Sequence, residues 1–293
     1  MQIKHIILSG LLATLFVSCT TDIAIDLNTV APELVVDGAI STDTIVHTIY
    51  LKKTSNYFSN EAANVVSGAT VTLNDGISTV TLQEDVSVKG AYHTAATYFG
   101  VVGRTYTLTI DNVDVNGDGE KERYTASCPL NAVPAIDAIA VVKGQLFYHD
   151  VWPVKLWMQD PPNVSNYYLI REYRNNVCVS DSIDEWGITS DEFFDGVYLN
   201  NETIMYFSSH KQDEMLVNGD KISLEVCGIT KDYLNFIQEV KDEYRGRNPL
   251  FGGQPANIRT NIRQVLPTNA TGSPRGYFAA YATSWAKTVY RTQ

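Results

Sequence analysis

Gly68-Ala69-Thr70-Val71-Thr72-Leu73-Asn74-Asp75-Gly76 reads as a strand running into a hairpin turn. Val71 and Leu73 alternate with Thr70 and Thr72, which puts apolar side chains on one face and hydroxyls on the other. Asn74-Asp75-Gly76 supplies the turn, and Thr79 to Leu82 is the returning strand. The same rhythm of short β-branched runs between Gly, Asn and Asp extends in both directions. Leu34 to Ile40, Ile45 to Leu51, Tyr106 to Ile110 and Tyr124 to Cys128 are further strands of an antiparallel sandwich. Pro129 and Pro134 break the rhythm and suggest a boundary near residue 132.

Beyond that boundary Ala138 to Val142, Val154 to Met158, Tyr167 to Tyr173, Ile204 to Ser208 and Lys221 to Cys227 read as strands. One helix interrupts them, at about residues 230–245. Thr230 is its cap, Asp232 lies in its first turn, Tyr233, Ile237, Val240 and Tyr244 form its buried stripe, and Gly246 ends it. Such a helix packs across a sheet. Tyr277 to Tyr290 alternates again and reads as a closing strand, with a helix as the alternative because of its alanines. The expected fold is therefore mostly β, a sandwich over residues 30–131 and a β-rich domain with one packed helix over residues 132–293.

The N terminus gives a location. Lys4 precedes an apolar run from Ile6 to Val17, which is shorter than the roughly 20 residues a spanning helix needs, and Leu15-Phe16-Val17-Ser18-Cys19 is a loose lipobox. Residues 1–18 are expected to be a signal peptide, Cys19 the lipidated residue, and residues 19–29 a polar tether. The alternative is an ordinary secretory leader with an incidental cysteine. With 33 acidic against 22 basic residues the net charge is -11, and the cations are scattered singly, which argues against a nucleic-acid surface. Cys128, Cys178 and Cys227 form no metal-ligand spacing. Either Cys178 pairs with Cys227 or the thiols are free and buried.

Three constellations could carry function. Asp114, Asn116 and Asp118 place oxygens at alternate positions before Gly119, as calcium loops do, although no Glu stands at the twelfth position and a plain hairpin loop is the alternative. Trp186, Phe193 and Phe194 lie in an acidic stretch from Asp181 to Asp195. Tyr167 and Tyr168 follow Asp160-Pro161-Pro162. Aromatic faces beside carboxylates suit a sugar, a peptide or another small ligand, and Asp160, Tyr167, Tyr168, Trp186, Phe193 and Phe194 are the candidate binding residues; core packing and a solvated loop are the alternatives. No HExxH or GxSxG motif occurs, and His47, His93, His149 and His210 stand apart in the sequence, so no catalytic residue is expected.

Gly68-Ala69-Thr70-Val71, Gly90-Ala91-Tyr92 and Gly103-Arg104-Thr105-Tyr106 resemble an immunoglobulin-like or transthyretin-like lipoprotein module. Asp160-Pro161, Asn166-Tyr167-Tyr168, Asp195-Gly196, Asn218-Gly219-Asp220, Tyr233-Leu234, Asn248-Pro249-Leu250-Phe251-Gly252-Gly253 and Gly276-Tyr277-Phe278 follow in order. Together, over about residues 19 to 290, they resemble the domain of unknown function 4249 family of Bacteroidetes outer-membrane lipoproteins. The Asp114 to Glu120 loop is an insertion relative to that pattern. The resemblance implies a lipid anchor in the outer membrane, exposure at the cell surface, and a TonB-dependent transporter as partner. It implies no catalytic residue and no required cofactor. The function expected is capture of a ligand for uptake. The rivals are a surface hydrolase acting on glycan or peptide, and an envelope assembly or structural factor that binds protein only.

Overall fold

The computed structural model describes residues 31–55, 64–244, 258–267 and 272–292. The leader, Cys19, the tether, Gly246 and the Asn248-Pro249 motif lie outside these residues. Among the described residues eighteen strands and one α-helix are formed. The first group is β1 (Leu34–Ser41), β2 (Thr48–Lys53), β3 (Thr70–Asn74), β4 (Thr79–Thr81), β5 (Gln83–Glu84), β6 (Ala91–His93), β7 (Thr105–Val113) and β8 (Glu122–Pro129). The second is β9 (Ile136–Val141), β10 (Gly144–Leu146), β11 (His149–Gln159), β12 (Tyr167–Arg174), β13 (Val177–Cys178), β14 (Gly187–Ser190), β15 (Tyr198–Ser208) and β16 (Lys221–Gly228). The helix α1 (Lys231–Tyr244), β17 (Arg263–Leu266) and β18 (Arg275–Val289) complete the chain.

One long sheet, in the order β13-β12-β16-β18-β1-β2-β6-β5 with β14 also on β12, forms a spine. Two smaller sheets accompany it: β17-β8-β7-β3-β4, and β10-β11-β15 with β9 also on β11, along the same edge as β10. The first small sheet shares a core with β1, β2 and the start of β18, centred on Leu34, Val36, Leu108 and Phe278. The second shares a core with β12, β16 and the end of β18, centred on Val154, Leu156, Phe207 and Leu224. The break expected near residue 132 coincides with the change from one small sheet to the other. The spine is common to both, and Pro32–Gln293 clusters as one compact unit.

Strand alternation distributes β18 between layers. Phe278, Ala280 and Ala282 face the first small sheet, while Tyr277, Ala279 and Tyr281 face α1 on the opposite side of the spine. Its partners also change along its length: Val35 to Ser41 of β1 run parallel to Arg275–Tyr281, and Lys221 to Gly228 of β16 run antiparallel to Ala282–Val289. The helix begins as expected, with Thr230 Oγ1 accepting from the Tyr233 N–H at 3.2 Å. Its buried stripe is Tyr233, Ile237 and Lys241, whereas Tyr244 is exposed, which corrects the expected stripe. Lys241 is buried and donates from Nζ to the Trp186 carbonyl.

The three described cysteines, Cys128, Cys178 and Cys227, are free. Cys178 on β13 lies opposite Tyr173 on one edge of β12, while Cys227 on β16 lies opposite Leu169 on the other edge. A whole strand and four residues of register separate them, beyond the ~4.4–6.8 Å Cα spacing of a disulfide. The Cys178–Cys227 pairing is therefore ruled out. Cys178 instead points at the Ser180 carbonyl, 3.2 Å away, and burial pushes the Cys227 thiol well above its ordinary pKa.

Candidate functional site

A cavity of about 460 Å³ opens between the second small sheet and the spine. Its walls come from alternate residues of facing strands: Leu156 and Met158 of β11, Tyr168 and Ile170 of β12, Ile188 of β14, and Leu199 and Ile204 of β15. Phe194 closes one side, its ring stacked on Tyr168 with centroids 6.3 Å apart and planes 17° apart. Glu202 and Thr203 are the polar residues at the β15 wall. The volume and apolar lining match a small-molecule pocket.

The end of this cleft is held by two loops stapled together. Asp160, fully buried at the end of β11, accepts from the Tyr168 hydroxyl at 2.5 Å and from the Gly196 N–H at 3.0 Å. Asp191 accepts from the Asn166 N–H at 2.7 Å, and Asp195 from the Asn163 N–H at 2.9 Å. Gly196 has a positive φ, 71°, and a Cβ there would sit 2.8 Å from Cβ of Pro162, so the loops close only over glycine. Burial, reinforced by the Asp160 carboxylate, pushes the Tyr168 phenol far above its ordinary pKa. It thus stays a hydrogen-bond donor across the physiological range.

Carboxylate oxygens of Asp160, Asp191 and Asp195 lie within 4.8 Å of one another, the group among the described residues able to hold one cation jointly. In the expected calcium loop the side chains bond within the turn. Asp114 accepts from the Gly117 and Gly119 N–H groups, Asn116 from Asp118, and Asp118 from Glu120, so these side chains close the turn onto its own backbone.

Three of the six candidate binding residues come together: Asp160, Tyr168 and Phe194. Tyr167 packs on the helix side of the spine because neighbours on a strand face opposite ways. Trp186 also lies on that side, over the Arg171 guanidinium at 5.5 Å. Phe193 points into solvent. Sequence reasoning missed the aliphatic walls. Alternation marked Leu156 and Met158 as one face of a strand, but a gap between two sheets has no sequence signature.

A second cavity, about 630 Å³, lies between β8 and the start of α1, and its lining mixes charged residues, Lys231, Asp232, Arg259 and Arg263, with apolar surface from Ala126, Pro129 and Tyr277. His149 and His210 do not stand apart in space, since their rings lie 3.7 Å from centroid to centroid on the surface. Ser41 Oγ lies 3.2 Å from His47 Nε2, but His47 Nδ1 is buried without a partner, so no acid orients the ring as a nucleophile's base requires. Neither residue lines these two cavities.

Two carboxyls among the described residues that are held above their ordinary range also lie away from both cavities. They are Glu122 and Glu172, each raised chiefly by burial. Glu172 is pushed up to about 8, with Glu214 adding to the effect and Lys211 opposing it, and its Oε1 has no partner. A raised folded pKa stabilises the fold below the unfolded value of 4.5, and that contribution is lost as pH rises through about 8. The unfolding free energy should therefore fall between pH 4.5 and 8, by at most about 5 kcal/mol from this group. Glu172→Gln should flatten the profile in that window.

The profile of the family described as domain of unknown function DUF4249 matches residues 20–285, nearly the whole described body. No curated protein matches the chain.

Proposed function

Because the chain belongs to the DUF4249 family, which is defined without an activity, we propose that it is a non-catalytic capture lipoprotein of a TonB-dependent uptake system in the outer membrane. The observation that carries this reading is the preformed apolar cleft between β11/β15 and β12/β14, with Tyr168 fixed by Asp160 and Phe194 stacked beside it. A cleft with rigid aromatic and aliphatic walls binds without first being ordered, which saves conformational entropy on association. Its ligand is a small, largely apolar molecule. The lipobox ending in Cys19 and the family membership support the membrane placement. Tethering in the membrane plane raises the effective concentration beside a transporter, so modest affinity suffices.

Titration with the neutral fluorophore phenylnaphthylamine tests the cleft. Saturable fluorescence enhancement is expected for the native chain. Leu199→Trp, which fills the cleft from the β15 wall, should weaken binding about tenfold or more, the equivalent of ~1.4 kcal/mol. Equal binding by both forms, or none by the native chain, would remove the cleft as the capture site.

A further inference from the structure

Leu146, Phe147 and Tyr148 form the tip of the β10–β11 hairpin and are 53, 87 and 95% exposed. They are consecutive and apolar, at the end of a hairpin whose residues 145–149 are all exposed. Phe147 occupies the first central position of the two-residue turn with φ of 54°. That position in a primed turn suits Gly, Asn or Asp, and a bulky aromatic there is strained. The fold gains no packing from either ring. The strained turn thus holds the Phe147 ring out in water, where only a contact outside the chain can cover it.

We propose that the Leu146-Phe147-Tyr148 tip inserts into the boundary between headgroups and acyl chains of a lipid bilayer. Three features favour lipid over a protein pocket. The three side chains offer on the order of 500 Å², short of the ~800 Å² per partner of a stable protein interface. The tip carries no ionised side chain to pair with a partner, and Tyr has the amphipathic form that settles at membrane interfaces. The contour length from Cys19 to Pro32 is at most about 45 Å, so a chain anchored at Cys19 stays within reach of the bilayer. This inference rests on the membrane-anchored reading above. Insertion would be a second, weak membrane signal that orients a body the lipid alone leaves free to rotate.

The test uses the chain from Thr20 onward, which carries neither leader nor acceptor cysteine, mixed with vesicles of neutral phosphatidylcholine so that the charge of -11 plays no part. Cosedimentation of the native sequence is expected. Phe147→Gly/Tyr148→Ser should lose about 30-fold in partitioning. Phe147→Gly alone should melt at the same temperature as the native chain or higher, because glycine relieves the turn, while binding vesicles more weakly. No vesicle binding by the native sequence, or equal binding by the double variant, would overturn the proposal. So would a photo-crosslinker at position 148 that captures a protein and no lipid in intact outer membranes. Incorporation of a labelled fatty acid at Cys19 is a separate readout, so failure of the hairpin and failure of the anchor are distinguishable.

Discussion

Gly276→Ala is expected to destabilise the protein by at least about 3 kcal/mol in denaturant unfolding, and to broaden or split the transition. A Cβ at this position would lie 1.9 Å from the Val36 carbonyl oxygen and 3.1 Å from its nitrogen, both backbone atoms that cannot swing away. The residue also has φ of 82°, where an L side chain is strained even in open space. Gly276 sits where β18 enters its parallel pairing with β1, opposite Val36. Relief would require the register between Arg275–Tyr281 and Val35–Ser41 to open, which would expose Phe278 and Val36 of the first core. Gly76→Ala makes a control, since it shares a positive φ of 86° but meets nothing within 4 Å. It should cost about 1 kcal/mol. Equal losses for the two would show that the close approach at Val36 does not set the β1–β18 register.

Arg171→Met should cost about 3–5 kcal/mol, and Arg171→Met/Glu225→Met should recover most of that loss. Arg171 makes a two-pronged contact to the buried Glu225, Nε to Oε2 at 2.8 Å and Nη2 to Oε1 at 2.9 Å. Tyr173 donates to the same carboxylate at 2.8 Å, and the Trp186 ring covers the guanidinium. Removing the cation leaves the buried Glu225 carboxylate without its charge partner on the face where Leu169, Cys227 and Tyr281 pack. The double variant removes both charges and restores apolar contact. A double-mutant cycle by urea unfolding gives the coupling. A loss under 1 kcal/mol for Arg171→Met would mean that water reaches Glu225 and that α1 does not seal this face.

The β character and nearly every long strand were legible because alternation is a local property. Val71 and Leu73 are buried where Thr70 and Thr72 are not, as their spacing requires. Tyr277, Ala279 and Tyr281 were likewise legible as one face. Their partner was not, because β1 lies more than 230 residues away and the parallel register depends on glycines whose purpose shows only when the neighbouring backbone is in place. In α1 the Thr230 cap was legible, while Lys241 on the buried stripe was not, since hydropathy ignores the methylene stem. Asp160 and Tyr168 were legible as a polar group beside an aromatic one. Tyr167 was misplaced by treating neighbours on a strand as though they shared a face. Asp191 joins Asp160 through a loop closure over Gly196 that spacing along the chain does not encode.

Affinity capture of the lipidated protein from detergent-solubilised outer membranes, with Cys19→Ala as control and mass spectrometry as readout, tests the capture reading most directly. Recovery of a TonB-dependent transporter with the lipidated form, and far less with the control, is the predicted result. Recovery of no transporter from membranes that contain one would contradict it. The cleft between β11/β15 and β12/β14 would then belong to a protein working apart from uptake.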